Sequence, residues 1–183
     1  MRIIAGQAKG HPLKVPRKVS RPTTDRVRES IFGILSPVLE GARVLDLFAG
    51  SGALGLEALS RGASSCVFVE QDRGACRVIK ENLAKTGLAG GEVKSLGVER
   101  FLKGRPFSFD LIFADPPYAD GLRDPVRDLV GAGDWRGWLA EDGFLLLEQA
   151  AAEETMALEG LEVVQSRGYG KSRMTIYQAV AGS

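Results

Sequence analysis

Residues 44–55 of this chain read Val44-Leu45-Asp46-Leu47-Phe48-Ala49-Gly50-Ser51-Gly52-Ala53-Leu54-Gly55. The apolar first part is typical of a buried β-strand, and the glycines that follow indicate a tight turn into a helix. Gly50, Gly52 and Gly55 satisfy the G-x-G-x-x-G pattern of nucleotide-binding turns. Because a tight turn needs glycines even without a ligand, the pattern alone leaves a purely structural role open.

The rest of the chain alternates short apolar runs with helical stretches. We predict strands at 43–47, 66–70, 92–95, 109–114 and 143–148, and helices at 53–61, 73–86, 98–103, 124–132 and 153–159. Such alternation favours right-handed crossovers and a mainly parallel sheet covered on both faces. The last strands, 161–166 and 174–180, are separated by only seven residues, too few for a crossover helix, so we expect an antiparallel hairpin to close an α/β fold.

The first 28 residues are strongly basic. Eight basic side chains oppose one acidic side chain, Asp25, giving a net charge of +7, whereas the remainder of the chain carries −6. The sequence predicts a hairpin at the N-terminus, then a helix that Thr23 or Thr24 caps and Pro37 ends. A polyanionic partner, nucleic acid, is our interpretation, and a solvated strand pair is the alternative. Candidate phosphate contacts are Arg2, Lys9, Lys14, Arg17, Lys18 and Arg21.

Composition disfavours several classes of function. A length of 183 residues with 44% hydrophobic residues predicts one globular domain. No run approaches the ~20 apolar residues of a membrane span, and no secretory signal is present, so we expect a cytoplasmic protein without a membrane partner. Cys66, Cys76 and the single histidine, His11, provide neither a disulfide framework nor a metal-ligand cluster. We therefore expect no metal.

Two acidic residues indicate what the glycine turn would bind. Glu70 stands twenty residues after Gly50 at the end of the next predicted strand, where a carboxylate would meet ribose hydroxyls. Asp46 would be a poor neighbour for the pyrophosphate of a dinucleotide, but it suits the ammonium and sulfonium cations of S-adenosylmethionine. A buried Asp46 that only caps the turn through hydrogen bonds remains the alternative.

The apolar strand 109–114 runs into Asp115-Pro116-Pro117-Tyr118. The prolines hold the segment extended and remove backbone donors, so a carboxylate, free carbonyls and an aromatic ring lie in sequence. An exocyclic amino group of a nucleobase needs acceptors for its N–H bonds and a ring on which the base can stack. Such a tetrapeptide can also be a plain turn, but its place after the fourth strand puts it at the ligand edge of a parallel sheet.

These motifs, in this order, resemble the RsmD family, the 16S ribosomal RNA guanine-N2 methyltransferases. The resemblance covers essentially the whole chain, and it is carried by Arg2-Ile3-Ile4-Ala5-Gly6 with Gly10, by residues 21–29, 46–58 and 115–118, and by Tyr169-Gly170. The glycine turn and the Asp-Pro-Pro-Tyr motif suit many methyltransferases. The helix start Arg-Pro-Thr-Thr-Asp-Arg-Val-Arg-Glu directly after a basic hairpin is specific.

The resemblance implies a Rossmann-like class I methyltransferase fold over residues 21–183, with residues 1–20 as a basic β-hairpin extension. It implies S-adenosylmethionine as cofactor and the 16S RNA of the small ribosomal subunit, or of its assembly intermediate, as partner; we expect a monomer. The catalytic candidates are Asp115, Pro116 and Tyr118. The cofactor-binding candidates are Asp46, Phe48, Ala49, Gly50, Ser51, Gly52, Glu70, Gln71, Val98 and Thr24.

One departure from the superfamily concerns adenine. Many relatives carry an acidic residue after the third strand, where this chain has Leu96-Gly97-Val98. Adenine would then be held by backbone groups and by apolar contact with Val98. Trp135 and Trp138 could stack on RNA bases, but their spacing beside Leu139 favours a place in the core for at least one.

Other functions stay open at this point. The tetrapeptide reads an amino group without naming the base, so a DNA adenine-N6 or cytosine-N4 methyltransferase is the first alternative. A nucleotide-dependent oxidoreductase would account for the glycines but not for residues 115–118. A non-catalytic RNA-binding protein would not bind S-adenosylmethionine.

Overall fold

The computed structural model describes residues 1–16, 24–116 and 135–180. These residues contain a seven-stranded sheet with the strand order β3-β2-β1-β4-β5-β7-β6. The strands are β1 (Arg43–Leu47), β2 (Ser65–Glu70), β3 (Gly91–Ser95), β4 (Phe109–Ala114), β5 (Leu139–Ala150), β6 (Leu161–Tyr169) and β7 (Ser172–Ala179). β1 to β5 are parallel, whereas β7 is antiparallel to both of its neighbours. The predicted mostly parallel sheet with an antiparallel C-terminal hairpin is confirmed.

Helix α1 (Asp25–Leu35) precedes the sheet. As predicted, helices connect the first four parallel strands: α2 (Ala53–Ser60), α3 (Arg73–Thr86) and α4 (Val98–Leu102). The predicted helix at 124–132 lies outside the described residues. In the described ranges, no helix combines the length and the apolar character that a bilayer crossing requires.

Helix α1 begins and ends at the residues that the sequence indicates. The Thr24 hydroxyl accepts a hydrogen bond from the Val27 amide at 3.4 Å, and the helix ends just before the turn that contains Pro37. Such a cap satisfies one of the free amides of the first helical turn. The buried face of α1 comprises Arg28, Ile31, Phe32 and Leu35.

The sheet has an apolar cluster on each face. Alternate residues of the central strands point to opposite faces, so Val44 and Phe113 join one cluster while Leu45 and Ile112 join the other. Helices α1, α2 and α3 contribute to the first cluster. Trp135 and Trp138 are buried in the second cluster, where the Trp138 ring lies parallel to that of Phe109 at 6.5 Å. Both tryptophans are therefore core residues, and neither is available to stack on RNA.

The N-terminal segment is docked on the helices of the sheet. Arg2 and Pro12 form an antiparallel bridge, and Ile3, Ala8 and Leu13 enter the first apolar cluster. Buried polar side chains hold the backbone of this segment. Glu57 accepts from the Ile4 and Ala5 amides, Ser60 bonds Ala5 and Ala8, and Asn82 both donates to and accepts from the backbone of Lys14. The predicted domain boundary at residue 20 lies outside the described residues.

The predicted helix at 153–159 is wrong, because residues 151–160 form turns on either side of a stretch without regular secondary structure. β5 ends opposite Ser172 and β6 begins opposite Ala179. The connection from β5 to β6 must therefore run back along the length of β7, a distance of about 23 Å. A seven-residue helix would advance only about 10 Å. The span therefore favours extended chain, although alanine and glutamate at 151–154 are good helix formers.

Candidate active site

The sheet has a topological switch point between β1 and β4: β2 and β3 lie on one side of β1, whereas β4 and the later strands lie on the other. β1 pairs with β2 on one side and with β4 on the other, so the loops that follow β1 and β4 diverge at the carboxyl edge of the sheet. Ligands of open α/β sheets bind in the crevice at such a point. Leu47 pairs with both Val69 and Ala114, which brings the glycine turn, the end of β2 and Asp115 to one place.

The glycine turn after β1 adopts conformations that side chains rarely take. Gly50 and Gly52 have φ of 55° and 75°, and Phe48 also has a positive φ, 59°. Such a residue other than glycine marks local strain of the kind that clusters at functional sites. Gly55 serves packing instead, since a Cβ there would lie 2.4 Å from the Phe68 ring. The structural role that the sequence left open therefore holds for Gly55, and in part for the buried Gly52, where a Cβ would lie 3.2 Å from Ile79. Gly50 and Gly52 also supply the positive φ angles of the turn.

Glu70 ends β2 and fixes the loops around it. One oxygen of its carboxylate accepts from the Gly50 amide at 2.9 Å, and the other accepts from the Asp72 amide at 2.7 Å. The carboxylate keeps partial exposure, and each oxygen has a second lone pair. Gln71 and Val98 flank this position. The side-chain amide oxygen of Gln71 lies next to Gly97, and Val98 is buried at the start of α4.

Asp46 lies beneath the turn and is almost inaccessible, with 2% exposure. Its carboxyl accepts from the Gly55 amide at 3.0 Å, in the first turn of α2. Burial raises the pKa of Asp46 to about 8, with the Gly55 hydrogen bond opposing the rise and the Glu70 charge adding to it. The capping contact considered from the sequence is thus present, and a cationic ligand would favour ionisation of the same group.

The fourth loop begins with two described residues, Asp115 and Pro116; Pro117 and Tyr118 lie outside the described residues. Pro116 is buried and Asp115 is partly exposed. The Asp115 carboxyl lies beside that of Glu148 on β5, since these residues directly follow the paired Ala114 and Leu147. Burial, and secondarily the charges of Glu148 and Asp46, raise the pKa of Asp115 well above its usual range. This edge therefore holds three neighbouring carboxyl groups.

Glu148 was missed by the sequence reasoning. It follows the apolar residues 144–147, and the register that pairs Ala114 with Leu147 places it beside Asp115. Its only signal in the sequence is an acidic residue that ends an apolar strand. That signal does not identify a partner until the order of strands is known.

A groove of about 510 Å³ lies between the start of α1 and the turn that joins β6 to β7. The Tyr169 hydroxyl donates to the Ser30 hydroxyl at 2.9 Å, and the Arg167 guanidinium lies 5.9 Å from the Tyr169 ring. Neither Arg26 nor Arg167 forms an ion pair within the described ranges. The described lining is Thr24, Arg26, Val27, Ser30, Arg167, Gly168, Tyr169 and Gly170.

The basic side chains predicted to contact phosphates differ in whether they already form ion pairs with acidic residues. Arg2 pairs with Asp25 at 3.5 Å, and Lys14 pairs with Glu81 at 2.6 Å. Lys9 is exposed and forms no ion pair with any residue that the structure describes. Arg17, Lys18 and Arg21 lie outside the described residues. Arg28 is fully buried and donates to the Arg2 carbonyl and to Asp25, so it is not available to a polyanion.

Comparison with known proteins identifies the family. Residues 1–178 match the family model described as conserved hypothetical protein 95. The chain is 41% identical to ribosomal RNA small subunit methyltransferase D of Escherichia coli (strain K12), covering 81% of this chain and 74% of that protein. It is 40% identical to YlbH of Bacillus subtilis (strain 168), a proposed rRNA methyltransferase, covering 97% of this chain and 98% of that one.

Solved structures agree with the sequence relatives. The structure of YhhF from Escherichia coli, a proposed methyltransferase, superposes with a TM-score of 0.88 at 35% identity, covering 99% of this chain and 98% of that chain. The match therefore includes the N-terminal segment, the sheet and the C-terminal hairpin. The extent and identity of these matches confirm the resemblance seen in the motifs, and the chain belongs to the RsmD family of ribosomal RNA methyltransferases.

Proposed function

We propose that this chain transfers a methyl group from S-adenosylmethionine to the exocyclic N2 of a guanine in 16S ribosomal RNA. The observation that carries the proposal is the position of Asp115 and Pro116 directly beside the glycine turn, at the topological switch point. Acceptors for an amino group then lie next to a site suited to an adenosine-containing ligand. Membership of the RsmD family supports the RNA substrate.

The chemistry of the site fits the cofactor. Glu70 would accept from the ribose hydroxyls, as its second lone pairs allow, and the buried carboxyl of Asp46 would meet the ammonium side of methionine directly or through water. Gln71 and Val98 would border the adenine. The remaining proposed contacts to the cofactor are Phe48, Ala49, Gly50, Ser51, Gly52 and Thr24, with the Gly50–Gly52 backbone leaving space for the methionine arm. The cofactor supplies an electrophilic methyl group on a positively charged sulfur.

The protein would prepare the nucleophile. The Asp115 carboxylate and the Pro116 carbonyl would accept the two N–H bonds of the target amino group and draw its nitrogen toward tetrahedral geometry. The nitrogen lone pair, otherwise delocalised into the base, then attacks the methyl carbon while the carbon–sulfur bond breaks. Asp115 accepts the proton that the nitrogen loses. Tyr118 is proposed to stack on the extracted base.

The RNA would bind along the same edge of the sheet. The groove between α1 and the β6–β7 turn offers Arg26 and Arg167 without acidic partners, and Lys9 is likewise free among the described residues. These cations, together with Arg2, Lys14, Arg17, Lys18 and Arg21, are proposed to contact phosphates. The partner would be the small subunit or its assembly intermediate, met in the cytoplasm by a monomer.

The test is incubation of the protein with isotopically labelled S-adenosylmethionine and small subunits that lack the modification, followed by nucleoside mass spectrometry. We expect labelled N2-methylguanosine from 16S RNA and no product with Asp115→Ala. Label in N6-methyladenosine or N4-methylcytidine, or transfer to DNA instead of RNA, would support the first alternative reading. Absence of S-adenosylmethionine binding by calorimetry would refute the proposal altogether.

A further inference from the structure

Glu148 stands at the place where a base would enter the site. β5 pairs with β4 so that Leu147 lies opposite Ala114, and the next residues of the two strands are Glu148 and Asp115. Alternation along each strand directs both side chains to the face of Leu146 and Phe113. Asp46 lies on the same face two residues deeper, opposite Phe113. Glu148 and Asp115 are therefore the outer carboxyl groups of the edge.

The pairing of two carboxyl groups is unfavourable for the fold alone. Each is partly withdrawn from water, and like charges on neighbouring strands at the same level repel each other, so the two groups cannot both ionise freely. The residues that precede Glu148 on this strand are apolar, with Leu145, Leu146 and Leu147 all buried. Packing would be served by another apolar residue. The Glu148 carboxyl group therefore provides hydrogen-bond acceptors that the packing of β5 does not require.

The bases with exocyclic amino groups differ at the ring atom next to that group. In guanine the carbon bearing N2 adjoins N1–H, a donor, and the N1–H and one N2–H bond point to the same side. In adenine and cytosine the corresponding ring nitrogen next to the amino-bearing carbon has a lone pair instead. Two adjacent carboxyl groups therefore complement guanine and place an acceptor against the lone pair of the other two bases.

We propose that Glu148 selects guanine by accepting its N1–H bond while Asp115 and the Pro116 carbonyl accept the N2 hydrogens. The inference rests on the proposed function and names a specificity-determining residue for it. In the free protein the two carboxyl groups lie beside each other, and the guanine edge would donate one hydrogen bond to each. Sites built to bond a substrate N–H reject analogues that lack it strongly, because the buried acceptor is then left unpaired.

The test changes the substrate at N1, where a donor becomes a lone pair, and at the neighbouring 6 position, where the carbonyl becomes an amino group. Small subunits are reconstituted with 16S RNA carrying either guanine or 2,6-diaminopurine at the methylated position, which the nucleoside experiment and RNA mapping first locate. Diaminopurine keeps the N2 amino group but has a lone pair at N1. We expect the wild-type protein to favour guanine by roughly 100–1,000-fold in single-turnover rate at subsaturating RNA.

Glu148→Gln supplies the protein side of the comparison. Its amide can accept from N1–H or donate to an N1 lone pair, so we expect the preference for guanine to fall to about tenfold or less. Intrinsic differences in reactivity between the two bases cancel when the variant is compared with the wild type. Glu154→Gln is the matched control, since it removes the same charge from an exposed position just beyond β5 and should keep the wild-type preference.

The outcomes separate this inference from the proposed function. If the wild type forms no N2-methylguanosine, the proposed function fails first. If it methylates guanine and diaminopurine at equal rates, or if Glu148→Gln keeps the full preference, the role of Glu148 is wrong while the function stands. Binding of S-adenosylhomocysteine and the thermal midpoint are measured for each variant. Should Glu148→Gln not fold, equal rates of the wild type on the two substrates would still refute the role of Glu148.

Discussion

Glu70 offers the sharpest test of the cofactor site, because the structure gives its carboxylate a structural role as well. It accepts from the Gly50 amide at 2.9 Å and from the Asp72 amide at 2.7 Å, while the proposed function assigns it the ribose hydroxyls. Glu70→Ala removes both roles together. The experiment must therefore separate loss of cofactor contacts from loosening of the loop.

The two roles predict different magnitudes. The Gly50 and Asp72 amides lie at a partly exposed edge and can turn to water, so losing their acceptor should cost about 1–2 kcal/mol in the free energy of unfolding. For a chain of 183 residues that is a fall of about 2–8 °C in the thermal midpoint. Losing charge-assisted hydrogen bonds from the ribose costs about 1.5–3 kcal/mol, a weakening of S-adenosylmethionine binding by about 10–100-fold.

Asp72→Ala is the control variant. The Asp72 carboxylate caps α3 by accepting from the Ala75 amide at 2.8 Å, and losing such a cap costs about 1 kcal/mol. It destabilises the same loop without touching the proposed ribose site. Titration calorimetry with S-adenosylmethionine, and with an analogue lacking the ribose 2′-hydroxyl, is run beside thermal unfolding for both variants.

The expected pattern is a large loss of affinity in Glu70→Ala only, and a smaller penalty for the deoxy analogue in that variant than in the wild type. The reasoning is refuted if Glu70→Ala and Asp72→Ala bind S-adenosylmethionine within about twofold of each other. It is also refuted if removing the hydroxyl weakens binding equally in the wild type and in Glu70→Ala.

Four further outcomes are expected. Asp115→Asn should bind S-adenosylmethionine nearly normally and lose about 10²–10⁴-fold in single-turnover rate, since it weakens the acceptor of the amino group; an unchanged rate would contradict its role. The double variant Arg26→Glu and Arg167→Glu should bind RNA with a shallower dependence of log affinity on log salt concentration, equivalent to the loss of about one to two phosphate contacts. Filter binding between roughly 50 and 200 mM salt measures this slope, and an unchanged slope would show that the groove is not part of the RNA interface. Asn82→Leu should cost about 2–4 kcal/mol in urea unfolding, because it strands the Lys14 backbone and the Ser51 carbonyl, and a loss below about 0.5 kcal/mol would show that water replaces the amide. Burial raises the pKa of Asp46 to about 8, so the folded, cofactor-free protein holds this proton more tightly than the unfolded chain. The resulting contribution to the free energy of unfolding is complete below about pH 4 and is lost as the pH rises through 8. In urea titrations at successive pH values, the stability of the wild type relative to Asp46→Asn should fall across that range, and a constant difference would contradict the burial argument.

Local patterns in the sequence determined the elements and the loops that matter. The glycine turn, the Thr24 cap and the strand that runs into Asp115 are each specified by neighbours in the chain, and all are found as expected. The alternation of apolar runs and helices determined a parallel sheet, since helical crossovers connect strands that run the same way. The motifs were placed at one sheet edge on that basis alone, because the carboxyl ends of parallel strands share an edge.

Contacts between residues distant in the chain were decided only by the tertiary structure. Glu148 meets Asp115 because β5 lies beside β4 in a particular register, which periodicity cannot supply. Arg2 and Lys14 form ion pairs with Asp25 and Glu81, so their charges are partly neutralised, which a count of charges does not reveal. Residues 153–159 carry helix-forming side chains, yet the distance from the end of β5 to the start of β6 favours a chain without a helix. Propensity and charge are properties of single residues, whereas contacts and spans depend on where the fold brings those residues together.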